Sequence, residues 1–192
     1  MSITRILPGR TTCWLGVTAM VVGLGFLAGC ASWAGGIPGA GDPQTEVSQN
    51  LDHGLAAHGY DVVAYFPEGG REATPGSADI TATWQGGEYR FVSVEHRQLF
   101  EERPEKYAPA FNGYCAYAVA DDELVDIDPE SYRIQDGRLL LFYKDFFVDT
   151  RKRWAHDPDG LLERADGHWA KRIDAAKASQ STAETRPATQ PG

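Results

Sequence analysis

Two stretches constrain the fold of this chain most, because each has the pattern of two strands joined by a turn that contains glycine. In SYRIQDGRLLLFYK (Ser131–Lys144), apolar and aromatic residues flank the dipeptide Asp136-Gly137, which is typical of two-residue hairpin turns. ITATWQGGEYRFVS (Ile80–Ser93) repeats this arrangement around a Gly-Gly pair. The two hairpins predict a sheet based on antiparallel pairing.

Two further short apolar runs are interpreted as strands. DVVAYF (Asp61–Phe66) is rich in β-branched and aromatic residues and is ended by Pro67. GYCAYAVA (Gly113–Ala120) is apolar at every second position on both faces, so we expect a strand that is covered on both sides.

Helical signals occur around and after these strands. Ser93 can cap a helix at Val94–Arg103, and a helix is expected at about Asp145–His156, with Phe147 and Trp154 on its buried face. Asp157 can cap a last helix that has Pro158 in its first position. The buried face of that last helix is predicted to consist of Leu161, Leu162, Ala165, Trp169 and Ile173. The pattern predicts an α+β fold, a small antiparallel sheet of hairpins packed with a few helices, two of them C-terminal.

The N-terminus has the pattern of an export signal. Arg5 and Arg10 precede an uncharged apolar run that ends in LAGC (Leu27–Cys30). This ending resembles the bacterial lipoprotein signal, in which the cysteine becomes the lipidated first residue. We therefore expect residues 1–29 to be removed, Cys30 to be acylated, and the protein to be an outer-membrane lipoprotein that faces the periplasm. The alternatives are an uncleaved anchor helix and cleavage at another position.

Composition divides the rest of the chain into three parts. Residues 30–50 are rich in Gly, Pro and small polar residues and are expected to form a flexible tether. Residues 51–173 hold nearly all the aromatic residues and are expected to form one domain, and residues 174–192 are expected to be a disordered tail. The formal net charge of −9 disfavours a nucleic acid as a partner.

Cys115 is the one thiol that remains if Cys13 leaves with the signal and Cys30 is acylated, so a disulfide within the chain is not expected. It is interpreted either as a small buried core residue or as a ligand for a soft metal. His58 and His96 are the histidines that could join it, because imidazole together with thiolate suits zinc or copper.

Four residues in or beside the predicted strands at Asp61–Phe66 and Gly113–Ala120 are candidates for a small-molecule pocket, namely Tyr60, Asp61, Tyr114 and Tyr117. Tyrosine hydroxyls can orient a ligand, but buried tyrosines also serve as core rings. Asp61 is expected to be partly buried and to accept hydrogen bonds from backbone N–H groups of its own turn. No hydrolase, metalloprotease or phosphate-binding motif occurs, so a catalytic role is not favoured.

Four segments together resemble secreted or lipoprotein members of the YHS-domain family over Gly59–Trp169: HGYDVVAYF, YRFVSVEHRQLFEERPEKYAPAFNGYCAYAVA, DPESYRIQDGRLLLFYK and GLLERADGHW. The resemblance implies a heavy-metal-binding function, because some members look like metal binders that accompany copper-transporting pumps. Those metal-type domains use one upstream cysteine and a later C-x3-C pair. Here Val92 and His96 stand at the positions of the pair, and the upstream GYDVVAYF segment contains no cysteine.

These observations predict a lipid-anchored periplasmic binding module, with a transition metal such as copper or zinc as its candidate ligand. The alternative is a non-catalytic interaction or scaffold domain that recruits an envelope protein and in which Cys115 has only a structural role. A thiol-dependent enzyme that pairs Cys115 with a histidine is the third interpretation.

Overall fold

The computed structural model describes residues 47–184. The expected signal segment, the expected lipidation site Cys30 and most of the expected tether lie outside this range. No helix within residues 47–184 is both long enough and apolar enough to span a bilayer.

The main sheet has four strands, namely β1 (Leu51–Asp52), β2 (Leu55–Ala56), β3 (Ser77–Trp84) and β4 (Gly87–Phe91). Their order in the sheet is β1-β2-β4-β3. The β3–β4 pair is the first predicted hairpin, and its antiparallel pairing is confirmed. β2 runs parallel to β4, so the sheet also contains one parallel contact.

The second predicted hairpin forms a separate two-stranded sheet of β5 (Asp128–Gln135) and β6 (Arg138–Phe142). The turn residues Asp136 and Gly137 have φ values of 51° and 76°. This left-handed conformation is what the predicted Asp-Gly turn requires, because its twist matches that of the flanking strands.

Five α-helices complete the described part of the chain and confirm the α+β class: α1 (Val94–Glu102), α2 (Pro104–Tyr107), α3 (Ala116–Ala120), α4 (Thr150–Trp154) and α5 (Pro158–Glu184). The last two are C-terminal, as predicted. The hydroxyl of Ser93 accepts a hydrogen bond from the N–H of His96, which confirms the expected cap of α1.

The core consists of two hydrophobic clusters with β6 between them. Leu139 and Leu141 belong to the cluster that contains the rings of β4 and α1, whereas Leu140 and Phe142 belong to the cluster against α5. Because side chains alternate along a strand, the continuous apolar run of β6 supplies both clusters. The predicted inner face of α5 is confirmed, since its leucines, Ala165 and Trp169 are buried and Ile173 packs partly buried beside them.

The predicted strand at Asp61–Phe66 is wrong. The segment is buried, but it folds as successive turns because the side chain of Asp61 accepts hydrogen bonds from the N–H groups of Val63 and Ala64. An aspartate that captures nearby backbone donors in this way competes with strand pairing.

The predicted strand at Gly113–Ala120 is also wrong. Phe111, Asn112 and Gly113 have positive φ values of 55°, 51° and 83°, which turn the chain sharply before Cys115. The following alanine-rich residues form α3, because alanine has the highest helix propensity and the segment pairs with none of the described strands.

The helix expected at Asp145–His156 is shortened to α4, which begins at Thr150. The carboxylate of Asp145 accepts hydrogen bonds from the N–H groups of Phe147 and Val148 and forms a turn there instead. Phe147 is consequently exposed and does not lie on the buried face, whereas Trp154 is fully buried as predicted.

The folded part extends beyond residues 51–173 at both ends. Val47 packs against the second cluster, and the N–H of Asn50 donates to the carbonyl of Asn112 at 3.0 Å, so residues 47–50 are not a free tether. At the other end α5 continues to Glu184. Residues 174–184 are therefore helical where a disordered tail was expected, and the rest of that tail lies outside the described residues.

Candidate functional site

Asp61 is a fully buried carboxylate whose oxygens both accept hydrogen bonds. One oxygen accepts from the N–H of Val63 at 2.8 Å and from that of Ala64 at 3.3 Å. The other accepts from the N–H of Val92 at 2.9 Å and lies 2.6 Å from Nδ1 of His96. The predicted role of Asp61 in its own turn is thus observed, and the same side chain also joins that turn to the start of α1.

His96 is oriented by this carboxylate. Because both carboxylate oxygens act as acceptors here, Nδ1 of the imidazole carries the hydrogen and donates it to Asp61. The second ring nitrogen, Nε2, is then free to accept a hydrogen bond or to coordinate a ligand. A carboxylate that fixes one nitrogen of a histidine is the arrangement that orients histidines at binding sites and metal sites.

Apolar side chains surround the start of α1 on the protein surface. Val92 and Val94 are among the exposed large hydrophobic residues, and Ser93 lies between them as the helix cap. The backbone N–H of Val92 donates to the same oxygen of Asp61 that the ring of His96 contacts, so the buried carboxylate ties the residues at the start of α1 together. We call Val92, Val94 and His96 the His96 surface.

His58 lies in a second pair with a carboxylate. Its Nε2 is 2.9 Å from Oδ1 of Asp126, and the same oxygen accepts a hydrogen bond from the side-chain amide of Asn50 at 2.8 Å. Burial acts to raise the pKa of Asp126, but hydrogen bonds, of which that from Asn50 is the largest, outweigh it and hold the pKa below its ordinary value. The contacts of Asp126 with His58 and Asn50 connect the N-terminal segment to the loop before β5, which is a structural role.

Cys115 is fully buried at the N-terminus of α3. Its Sγ lies 3.4 Å from the hydroxyl oxygen of Thr150, which also donates to the carbonyl of Tyr143 at 2.7 Å. The buried contact with Thr150 favours the interpretation of Cys115 as a core residue. The thiol thus contacts a threonine hydroxyl and not the histidine that a thiol enzyme of this kind would need.

The predicted metal ligands Cys115, His58 and His96 do not fit a shared metal ion. Each has a different partner: Thr150 for the thiol, Asp126 for His58 and Asp61 for His96. Within residues 47–184 no group of three or more His, Cys, Asp or Glu side chains is arranged to hold a metal ion.

The candidate pocket residues also have separate surroundings. Tyr60 lies beside Glu130, and burial together with that carboxylate raises the pKa of its hydroxyl. Tyr114 contacts the ring of Trp169, and the ring of Tyr117 lies under the guanidinium of Arg153. These tyrosines therefore serve the packing of the domain, and Asp61 is the member of the predicted pocket set that contacts His96.

The pairing of Asp61 with His96 was not predicted, although each residue was named as a candidate. The two are 35 positions apart, and no sequence periodicity connects a turn aspartate with a histidine of a later helix. The available signals were the expected burial of Asp61 and the position of His96 in the first turn of a capped helix.

Comparisons of the chain with protein-family models, with curated proteins and with solved structures found no match.

Proposed function

We propose that this protein is a non-catalytic binding module of the YHS-domain type, lipid-anchored in the periplasm, which recruits an envelope protein partner through the His96 surface. The observation that carries the proposal is the Asp61–His96 pair. A fully buried carboxylate fixes an imidazole whose second nitrogen is available, and two exposed valines lie within four residues of it in the chain. Apolar side chains around one oriented polar group are typical of a recognition site.

The resemblance to YHS-domain proteins supports the same location. Metal-type members carry their cysteine pair at the positions of Val92 and His96 and a further cysteine upstream, near the segment that contains Asp61. Asp61 accepts a hydrogen bond from the backbone of Val92 and one from the ring of His96, so these positions lie together. This chain has a carboxylate, an aliphatic side chain and an imidazole there instead of thiolates.

This exchange of side chains favours protein recognition over binding of a soft metal. Copper(I) is selected by thiolate and thioether ligands. The chain has two methionines, both within the segment that we expect to be removed with the signal. The remaining thiol, Cys115, is buried against Thr150. Cys115 is accordingly proposed to have a structural role.

The test of the proposed function is site-specific photo-crosslinking in cells. A photoreactive residue at Val94 is expected to give a discrete adduct with one envelope protein, whereas the same residue at the exposed Glu163 on α5 should not. His96→Ala should remove the adduct at position 94, and Cys115→Ala should keep it. Identical adducts at both positions, or none at position 94, would contradict the proposal.

A separate experiment tests the metal alternative on the full chain with Cys13→Ser and Cys30→Ser. Because Cys115 is fully buried, a thiol reagent should modify it only after unfolding, both with and without added copper(I). Titration with copper(I) should give the same metal stoichiometry for the parent protein and for Cys115→Ser. A stoichiometric copper complex that depends on Cys115 would restore the metal-binding interpretation.

A further inference from the structure

The loop between β6 and α4 presents two phenylalanines to solvent. Phe146 and Phe147 are 93% and 88% exposed, and their ring centroids lie 5.1 Å apart in an edge-to-face arrangement. Among the exposed large hydrophobic residues of the described chain, these two are by far the most accessible. We call them the phenylalanine tip.

The phenylalanine tip lies in a turn that is closed by hydrogen bonds to the side chain and the backbone of Asp145. Oδ1 of Asp145 accepts from the N–H groups of Phe147 and Val148 at 2.8 Å and 2.7 Å, and the N–H of Asp145 donates to the carbonyl of Val148 at 2.9 Å. At the base of the loop the N–H of Thr150 donates to the carbonyl of Tyr143 at 3.1 Å. These hydrogen bonds close the turn and hold the backbone of both phenylalanines at the surface.

A cluster of cations follows the tip directly. Arg151, Lys152 and Arg153 are exposed on α4, and the exposed Arg133 of β5 joins two of them at one cleft. This cleft of about 370 Å³ is lined by Tyr132, Arg133, Arg151, Lys152 and Ala155. Because four residues of chain span at most about 14 Å, the Cα atoms of Phe147 and Arg151 are no farther apart than that. Both side chains can therefore reach the same membrane surface.

The acids near the tip are already engaged. Asp145 accepts from its own turn and, through Oδ2, from the hydroxyl of Tyr143 at 2.7 Å. Asp149 caps α4 and pairs with Lys152 at 3.6 Å, and Asp128 pairs with Lys144 at 3.7 Å. No ion pair within residues 47–184 involves Arg133, Arg151 or Arg153. Asp145 keeps its negative charge, because its donors are all neutral, but the three arginines outnumber it and leave a local excess of positive charge in an otherwise acidic chain.

We propose that the phenylalanine tip and the cleft lined by Arg133 and Arg151 form a membrane-docking site for an anionic phospholipid surface. Phenylalanine side chains bury themselves at the boundary between headgroups and acyl chains, and basic residues beside them are attracted to anionic headgroups. The guanidinium groups of Arg133 and Arg151 match the geometry of phosphate oxygens. This contact is separate from the His96 surface and does not require the lipid anchor.

The test uses a polarity-sensitive fluorophore placed beside the tip. In the full chain with Cys13→Ser and Cys30→Ser, the dye is attached to Val148→Cys, and the buried Cys115 stays unlabelled. The matched control carries the dye at Glu163→Cys on α5. Vesicles of phosphatidylcholine with phosphatidylglycerol should shift the emission at position 148 to the blue but leave position 163 unchanged. The local readout separates the tip from any insertion of the N-terminal apolar segment.

Two variants separate the two parts of the site. Arg133→Glu with Arg151→Glu should weaken the vesicle response at least about tenfold, because each basic residue near an anionic surface contributes to binding. Phe146→Ser with Phe147→Ser should weaken it to a similar extent, about tenfold, through the lost apolar burial. The response should also be absent with pure phosphatidylcholine and decrease at high salt.

Four outcomes would overturn the proposal. One is an equal shift at positions 148 and 163, and another is a response that survives the charge reversal. The third is suppression of the response by inorganic phosphate at low millimolar concentration, which would assign the cleft to a soluble anion. If no vesicle shifts the dye while an acidic polypeptide does, the site would instead be a protein interface.

Discussion

Asp61→Ala is expected to lower the free energy of unfolding by about 3–5 kcal/mol, because it leaves several buried donors without an acceptor. The variant removes the acceptor of the Val63 and Val92 N–H groups and of the His96 ring in one step, whereas the N–H of Ala64 keeps the backbone carbonyl of residue 61. Urea unfolding monitored by fluorescence measures the change. His96→Ala should cost less, because the three backbone bonds to Asp61 remain.

Asp126→Ala is the matched control for this experiment. Asp126 also accepts from a histidine, an asparagine and a backbone N–H, but its side chain is 62% exposed whereas that of Asp61 is 0% exposed. Water can replace the lost bonds at the exposed site, so the cost should be about 1 kcal/mol or less. Equal losses for the two aspartates would show that burial of Asp61 does not determine its contribution.

Trp154→Ala is expected to destabilise the fold by about 3–5 kcal/mol, since it removes a large fully buried side chain. The indole packs against the ring of Phe142, with centroids 5.5 Å apart, and its N–H donates to Oε1 of Gln135 at 2.9 Å. The variant thus leaves a cavity in the second cluster and a buried amide oxygen without its donor. A lower urea midpoint with an unchanged slope is the expected result.

Phe146→Ala is the control for Trp154, because it truncates an aromatic residue of the same region that lies in solvent. Its free energy of unfolding should stay within about 0.5 kcal/mol of the parent protein. A large loss at Phe146 would mean that the phenylalanine tip supports the fold, and it would weaken the argument that the tip is kept for an external surface.

The parts of the fold that were predicted correctly depend on local signals. The Asp136-Gly137 turn fixes its hairpin through the φ values that its two residues adopt. The cap at Ser93 and the helical spacing of Leu161, Ala165 and Trp169 likewise lie within short segments. Such signals are readable because each depends on neighbouring residues alone.

The incorrect predictions concern buried segments whose periodicity is ambiguous. Short apolar runs such as those around Val63 and Cys115 have the composition of strands, turns or buried helices alike. What decided between these was tertiary: Asp61 captured the donors of the first run, and the positive φ values at Phe111 and Asn112 redirected the second. The exposed tip was missed because Phe147 fitted a helical face that the Asp145 turn does not allow.

The sequence by itself determined the α+β class, the two hairpins and the inner face of the last helix, because turn chemistry and side-chain periodicity act over a few residues. The tertiary structure alone decided the site. It paired Asp61 with His96 across 35 positions and separated Cys115 from both candidate histidines. It also brought Arg133 beside Arg151. Such contacts depend on how distant elements pack, and no pattern within any one segment encodes them.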